Sequence, residues 1–232
     1  MRFSRINVIH FGLLLLAGIM GSVRTCPAGE PLPSGILLNL DFQNVKDGLI
    51  PNKALYPLYV PLQKLQIGEV NYRKTLIIDK GQGLDIPHSS LLDPDGTAWV
   101  ASVQVLAITD GIILSQCNAD SGYVIYIKDG IVHATVLSGQ TAVTLREQAV
   151  GGIGSILNKK VTIDLKIRRD SALLVLNRNR VALASLQQPL AGSNLWIRIG
   201  EPSTLPTPLK HNPAAAISGF TGHVTSLKIL RQ

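Results

Sequence analysis

The sequence predicts an all-β protein built as a two-sheet antiparallel sandwich, and three observations point to that fold. The chain has 232 residues, of which 46% are hydrophobic and 16% charged, so one sizeable domain can bury a full core. Its 21 glycines and 13 prolines are scattered between short Val/Ile/Leu runs, as turns between many short strands require. About a dozen runs suit short strands, several alternate apolar and polar residues, and no segment forms a convincing amphipathic helix.

The first 28 residues have the pattern of a secretory signal peptide. A cationic start precedes the apolar run 11–19, which has roughly half the ~20 residues that a membrane-spanning helix needs. Residues 29–34 follow as a Pro/Gly linker and residues 35–232 as the folded domain. An uncleaved anchor stays open as the alternative, because the cleavage motif is poor both for a cut after Ala28 and for one after Ser22. We expect a secreted, periplasmic or cell-surface protein with no membrane span after signal removal.

The net positive charge of the chain is smaller once that signal is removed. The formal net charge is +7, from 22 Lys and Arg against 15 Asp and Glu. Arg2, Arg5 and Arg24 lie in residues 1–28, which contain no acid, so the remainder carries 19 basic residues against 15 acidic ones, a net of +4. Nucleic-acid binding calls for a basic stripe with interleaved aromatics, and the sequence has none, so no nucleic-acid partner is expected.

The domain begins with a clear strand. Residues 35–42 alternate Leu38 and Leu40 against Asn39 and Asp41, which is the period-2 pattern of a half-buried strand.

A long connection precedes the next strands. Residues 43–73 are irregular and rich in proline, and they are predicted as the longest loop. Residues 76–79 and 84–87 then read as two short strands, joined as a hairpin by the Gly-rich turn 80–83.

The middle of the chain has the strongest strand signals. Asp129 and Gly130 supply a hairpin turn, and both faces of the strand before them are apolar, which predicts a central strand that is covered on both sides or lines a groove. The four predicted strands are 98–106, 111–116, 123–128 and 131–137.

The last third of the chain again has the pattern of short strands joined by turns. Asn177 and Asn179 tolerate positive φ and predict a tight hairpin at 177–180. The predicted strands are 160–169, 172–176, 181–186, 195–199 and 219–230.

The order of several short motifs resembles the laminin-G-like branch of the concanavalin-A-like lectin-glucanase jelly-roll family. The matching segments are 77–87, Trp99 in its strand, 111–115, 122–130 and 220–224. The resemblance covers roughly residues 35–230 and implies a jelly-roll sandwich that binds glycans or extracellular proteins. It also implies that one calcium ion could sit at the rim of the sandwich, held by Asp side chains and loop carbonyls. The candidate calcium ligands are Asp93, Asp95, Asn118 and Asp120, and turn-forming Asp and Asn would look the same.

Aromatic side chains are the candidates for sugar binding, because sugars stack on them. Tyr56 and Tyr59 in the long loop and Tyr126 on a central strand are the better exposed candidates, whereas Trp99 and Trp196 are expected in the core.

Catalytic patterns are absent from the sequence. The jelly roll also hosts glycosidases, which use a Glu-x-Asp-x-Glu type strand, but Glu30, Glu69, Glu147 and Glu201 are far apart in sequence. Cys117 reads as a strand-end residue without a nucleophile signature. The histidines show no metal-ligand spacing, and those after the signal are expected at the surface or in turns: His88, His133, His211 and His223.

These observations predict an exported, non-catalytic binding or adhesion module for a glycan or an extracellular protein, with no certain cofactor. The alternative is a glycosidase-like or lyase-like enzyme with a divergent groove site. Paired acids in a groove would favour the enzyme, and exposed aromatics would favour the binding module.

Overall fold

The described part of the chain is made of β-strands, with two 3-10 turns and no longer helix. The computed structural model describes residues 35–54, 58–94, 98–118, 121–138, 141–147, 154–190, 194–201 and 217–232. The predicted signal peptide 1–28 and linker 29–34 therefore lie outside the described residues. Within the described segments, no helix has the length and apolar character needed to cross a membrane.

Sixteen strands follow one another in these segments. The first eight are β1 (Gly35–Asp41), β2 (Leu49–Pro51), β3 (Tyr59–Pro61), β4 (Gln66–Val70), β5 (Arg73–Ile78), β6 (Gly83–Ile86), β7 (Trp99–Ala107) and β8 (Gly111–Cys117). The second eight are β9 (Ser121–Lys128), β10 (Ile131–Ser138), β11 (Thr141–Arg146), β12 (Lys160–Ile167), β13 (Ser171–Leu176), β14 (Asn179–Ser185), β15 (Ile197–Gly200) and β16 (Gly222–Arg231). The 3-10 turns are Phe42–Asn44 and Ser90–Leu92.

These strands form two large antiparallel sheets and a small one. An eight-stranded sheet has the order β14-β13-β12-β7-β16-β5-β4, with β1 paired to the later half of β16. A six-stranded sheet has the order β11-β10-β9-β8-β15-β6, and β2 pairs with β3 alone. The predicted all-β, two-sheet antiparallel sandwich is confirmed.

The two large sheets enclose one hydrophobic core, and the alternation of each strand decides what enters it. In β12, Val161, Ile163, Leu165 and Ile167 are buried, while the polar residues between them face outward. Burying an aliphatic side chain of this size contributes about 1.5–3 kcal/mol. The polar residues at the outward positions take no part in the core, so they can contact solvent or a ligand.

The middle of the six-stranded sheet is buried on both faces. In β9, Tyr123 and Ile125 belong to the main core, while Val124 and Tyr126 belong to a second apolar cluster. That cluster also contains Ile217, just before β16. The prediction of a central strand covered on both sides is confirmed for β9.

Among the described residues, three two-residue hairpins have both turn residues in the left-handed region. Asp129-Gly130 has φ of 55° and 72°, and it closes the hairpin that the sequence predicts. Asn177-Arg178 has φ of 47° and 71°, and Asn71-Tyr72 has φ of 50° and 61°. Positive φ at both positions is the geometry of a type I′ turn, which favours Asn-Gly and Asp-Gly.

Two predictions about connections are wrong. The segment around residues 80–83 does not close a hairpin: β5 lies in the eight-stranded sheet and β6 in the six-stranded one, so the turn carries the chain from one sheet to the other. Residues 43–73 are not one loop but contain β2, β3 and β4. β11 is an additional strand that the sequence did not predict, because Leu145 is its only buried residue and leaves no apolar alternation to read.

Candidate functional site

Two rows of polar side chains cross the outer face of the eight-stranded sheet. Each row runs over β12, β7, β16 and β1, because residues that are paired in register on neighbouring strands point to the same face. The first row is Asp164, Ser102, Lys228 and Asn39; the second is Thr162, Gln104, Ser226 and Asp41.

An open groove of about 850 Å³ lies over these rows, and we call it the sheet groove. Both rows line it except for Asp164, and Thr225 adds a further hydroxyl. At one end, side chains from outside the rows complete the wall: Gln43, Lys53, Tyr72 and Arg73. Amides, hydroxyls and charged groups therefore dominate the lining.

Asp41 is the single carboxylate among the described residues that line the groove. It forms an ion pair with the Lys53 ammonium and accepts a hydrogen bond from the backbone N–H of Gln43 at 2.8 Å. Burial alone would raise its pKa, but these hydrogen bonds and the charges of Lys53 and Arg73 outweigh it, so the pKa of Asp41 lies below its usual value. Asp41 is therefore held ionised and already engaged.

Hydrogen bonds fix the positions of the polar walls. Gln43 donates through Nε2 to the Lys74 carbonyl at 2.8 Å and accepts from the Lys74 N–H at 3.3 Å. Gln104 on β7 donates through Nε2 to the hydroxyl of Thr162 on the neighbouring strand β12, at 3.1 Å. The groove thus presents a preformed set of donors and acceptors.

Tyr72 stands at the edge of the groove and is 96% exposed. Its φ of 61° places a bulky residue in a region that side chains other than Gly, Asn and Asp rarely occupy. Such a conformation costs on the order of 1–3 kcal/mol. Because the ring is almost wholly solvated, little packing inside the domain offsets that cost.

The lining carries an excess of positive charge. Lys53, Arg73 and Lys228 contribute three cations against the single carboxylate of Asp41. Lys53 is paired with Asp41, whereas Lys228 lies between Ser102 and Asn39 in its row.

The two predicted sugar-binding tyrosines that the structure describes, Tyr59 and Tyr126, do not line this groove. Tyr59 is 63% exposed on β3 but is not among the lining residues. Tyr126 is only 5% exposed and stacks on His133, with ring centroids 5.0 Å apart, so the expectation that it is an exposed platform is wrong. Tyr56 lies outside the described residues.

The predicted calcium ligands have other roles where the structure describes them. Both carboxylate oxygens of Asp93 are hydrogen-bonded, one to Gln116 Nε2 at 2.8 Å and one to His88 Nε2 at 3.1 Å. Asn118 Oδ1 accepts a hydrogen bond from the Ser121 N–H at 2.8 Å, which links the end of β8 to the start of β9. No group of three metal-ligating side chains occurs within the described segments, and Asp95 and Asp120 lie outside them. The calcium site stays a prediction.

The two tryptophans differ in their burial. Trp99 is fully buried, as predicted, and donates to the Leu92 carbonyl at 3.1 Å. Trp196 is 55% exposed, so its predicted core position is wrong. The signal was available in the sequence: Ile197 and Ile199 both point inward, and alternation therefore turns Trp196 outward.

The predicted surface or turn position is wrong for one of the histidines. His133 is 8% exposed in the middle of β10, which contradicts its expected surface position. Val132 and Ala134 on either side of His133 point into the main core, so His133 lies on the outer face of the six-stranded sheet. That face is buried here, where the second apolar cluster lies.

Solved structures of several kinds share this fold. The binding domain of botulinum neurotoxin serotype G superimposes with a TM-score of 0.63 at 13% identity, over 85% of this chain and 48% of that one. Domain 4 of AbnA, a GH43 extracellular arabinanase from Geobacillus stearothermophilus solved with arabinotriose, gives 0.61 at 12% identity, over 86% and 94%. Mouse laminin α1 domains LG4–5 give 0.53 at 18% identity, over 77% and 44%.

These likenesses, all below 25% identity, show the fold alone, which is a two-sheet jelly-roll sandwich like those of the laminin LG domains and the arabinanase domain. The chain spans about half the length of the botulinum and laminin structures. No protein-family model and no curated protein sequence matches the chain.

Proposed function

We propose that this chain is an exported, non-catalytic glycan-binding module and that the sheet groove is its binding site. The observation that carries the proposal is the pair of polar rows under an open groove with an exposed tyrosine at its edge. Likeness in fold to an arabinanase domain solved with arabinotriose adds support, because that domain holds a sugar chain on the same kind of sandwich.

The groove has the chemistry that a glycan needs. Sugars present many hydroxyls in fixed positions, and Ser102, Gln104 and Asn39 offer side-chain donors and acceptors on a rigid sheet. The rows cross four strands, which is roughly 14 Å at ~4.8 Å per strand spacing, long enough for a short oligosaccharide. The excess of cations favours glycans that carry carboxylate or sulfate groups.

Tyr72 supplies the apolar contact of the site. The C–H face of a sugar ring stacks on an aromatic side chain, and an exposed ring at the groove edge can take that position. A strained backbone at a residue with little internal packing fits a role in binding.

The glycosidase alternative lacks a suitable pair of carboxyls in the described part of the groove. Hydrolysis of a glycosidic bond uses two carboxyls ~5–9.5 Å apart. Asp41 lies on β1, and the other outward-facing acid in the rows, Asp164, lies on β12 in the other row, three strand spacings and thus more than roughly 14 Å away. The distance and the engaged state of Asp41 both favour binding over catalysis.

A screen of the full chain against an array of neutral and acidic glycans tests the proposal. We expect binding to be weakened at least about tenfold in Gln104→Ala and in Lys228→Ala. Lys166→Ala is the matched control, because Lys166 faces outward on β12 but does not line the groove. An array with no bound glycan, or groove variants that bind like the wild type, would overturn the proposal, and a clean negative would favour a protein partner.

A second measurement tests the enzyme alternative. The bound oligosaccharide is incubated with the protein, and its length is followed by chromatography. We expect the oligosaccharide to stay intact. Shortened products that disappear in Asp41→Asn would establish a glycosidase or lyase.

A further inference from the structure

A small cavity of about 140 Å³ opens on the outer face of the other sheet, and we call it the Trp196 pocket. Its wall comes from three adjacent strands, because Asp85 on β6, Arg198 on β15 and Ser115 on β8 are paired in register. Trp196 stands directly before β15 and lines the same cavity, with Asn194 and Cys117 as further lining residues. The inward neighbours of these strand residues belong to the main core, so the pocket faces away from the sheet groove.

Trp196 is an exposed aromatic beside a concave polar surface. Its 55% exposure contrasts with the complete burial of Trp99 in the same domain. A single exposed apolar residue on a flat surface needs no explanation. An exposed indole that lines a pocket with an ion pair is the arrangement in which one ring face stacks on a ligand while polar groups fix its edge.

The polar edge of the pocket is an arginine and an aspartate in contact. Arg198 Nε lies 3.3 Å from Asp85 Oδ1, and both side chains are about one quarter exposed, at 26% and 28%. Arg198 Nε is buried and forms no well-aligned hydrogen bond, so the Asp85 contact leaves this donor incompletely satisfied. Guanidinium donors beside carboxylate acceptors can bond two neighbouring hydroxyls of one ring.

Two further features concern the position of Arg198 and the charge of Cys117. A Cβ on Gly83 would lie 2.6 Å from Arg198 Nε, so glycine leaves room for the guanidinium to lie over the strand. Burial raises the pKa of the Cys117 thiol to about 12, so this lining residue stays neutral at physiological pH. The Asp85–Arg198 pair is balanced in charge, which suits a neutral ring.

We propose that the Trp196 pocket is a second carbohydrate site, which takes one neutral pyranose residue stacked on Trp196 and hydrogen-bonded by Asp85 and Arg198. This inference extends the proposed glycan-binding function but does not use the sheet groove. Because the two sites lie on opposite outer faces, one domain can bridge two glycan strands and gain avidity on a glycan-rich surface.

Titration of the full chain with methyl glycosides of glucose, galactose, mannose and N-acetylglucosamine tests the pocket. Fluorescence quenching by acrylamide reports on Trp196, because Trp99 is buried, and saturation-transfer NMR reports on the glycoside. A ligand of this size is expected to bind with a Kd on the order of 1 mM, so the titration runs to roughly 50 mM. We expect one glycoside to protect Trp196 saturably from quenching.

Variants separate this site from the groove. Trp196→Ala and Asp85→Asn should weaken glycoside binding at least about tenfold, as read by NMR. Leu183→Ala is the matched control, because Leu183 is also 55% exposed but lies away from the pocket on β14. Tyr72→Ala should leave the protection of Trp196 from quenching unchanged, because this readout reports on the pocket alone, so failure of the groove and failure of the pocket are distinguishable. The pocket proposal is overturned if no glycoside protects Trp196, or if Trp196→Ala binds as tightly as the wild type.

Discussion

Arg231, the penultimate residue, donates through Nη2 to the backbone carbonyl of Asp93 at 3.0 Å, across 138 positions of sequence. Both residues are buried, at 3% and 4% exposure. The Asp93 side chain is held in turn by Gln116 on β8 and by His88. This cluster ties the end of the central strand β16 of one sheet to the loop before β7 and to the other sheet.

Removing the Arg231 side chain should therefore destabilise the fold. Arg231→Leu leaves the buried Asp93 carbonyl without its donor, which should lower the free energy of unfolding by about 1–3 kcal/mol. Chemical denaturation measures the change. Lys228→Leu on the same strand is the control, since Lys228 is exposed and the change should stay within about 0.5 kcal/mol. Equal effects of the two substitutions would contradict the structural role of Arg231.

The Cys117 thiol should be unreactive in the folded protein. Burial raises its pKa to about 12, and the residue is only 7% exposed, so both the thiolate fraction and the access of reagents are low. In a Cys26→Ser background, which leaves one thiol, a disulfide reagent at pH 8 should react slowly with the native chain and rapidly after denaturation. Fast labelling under native conditions would show that the outer face of β8 opens readily.

His133 should make stability depend on acid pH. Burial, and then the charges of Arg146 and Lys128, lower its pKa from 6.5 to about 4 despite the opposing effects of Asp129 and Asp110. Between these values the unfolded chain binds more protons than the folded one, so stability falls as pH drops from about 6.5 towards 4, by at most about 1.4 kcal/mol per pH unit. His133→Phe keeps a ring to stack on Tyr126 and should reduce this slope. An unchanged slope in denaturation series at several pH values would contradict the assignment.

The strands of the middle region could be predicted because burial and alternation reinforce each other there. In β12 and β7 every second residue is apolar, and β9 is apolar on both faces, so the pattern identifies both the strand and its degree of burial. Period-2 alternation says nothing about which sheet a strand joins. For that reason β5 and β6, which look like a hairpin in sequence, belong to different sheets.

The candidate site was harder to predict than the fold. The rows of the sheet groove come from four strands, and β1 and β16 stand at opposite ends of the sequence, so their juxtaposition depends on register. Tyr72 was hidden because its hairpin lies in a charged, proline-containing stretch that resembles a loop. Tyr126 looked exposed because the cover of its sheet face, where Ile217 joins the second cluster, comes from a distant part of the chain.

Gly122 should tolerate no side chain. Its φ is 119°, and a Cβ there would overlap the Gln116 carbonyl oxygen and lie 2.5 Å from Cys117 Cα. Gly122→Ala should lower the free energy of unfolding by more than about 3 kcal/mol, because backbone strain and overlap add. Gly81→Ala separates the two causes: Gly81 has a φ of 81° but no atom within 4 Å of the added Cβ, so only the strain, about 1–2 kcal/mol, applies. Equal losses measured by denaturation would mean that β8 shifts to accommodate the methyl group.

The turn at Tyr72 should show opposite effects on stability and on binding. Tyr72→Gly gives the Asn-Gly pair that type I′ turns favour, so the free energy of unfolding should rise by about 1 kcal/mol. The same change removes the exposed ring from the sheet groove and should weaken glycan binding by about 10- to 100-fold, if stacking contributes about 1.5–3 kcal/mol. Arg178→Gly is the matched control, because Asn177-Arg178 has the same turn geometry on a hairpin that does not line the groove. It should gain the same stability and keep full binding. If Tyr72→Gly stabilises the protein and still binds glycan normally, the strained tyrosine has no part in recognition; if it destabilises the protein, the ring packs within the domain after all.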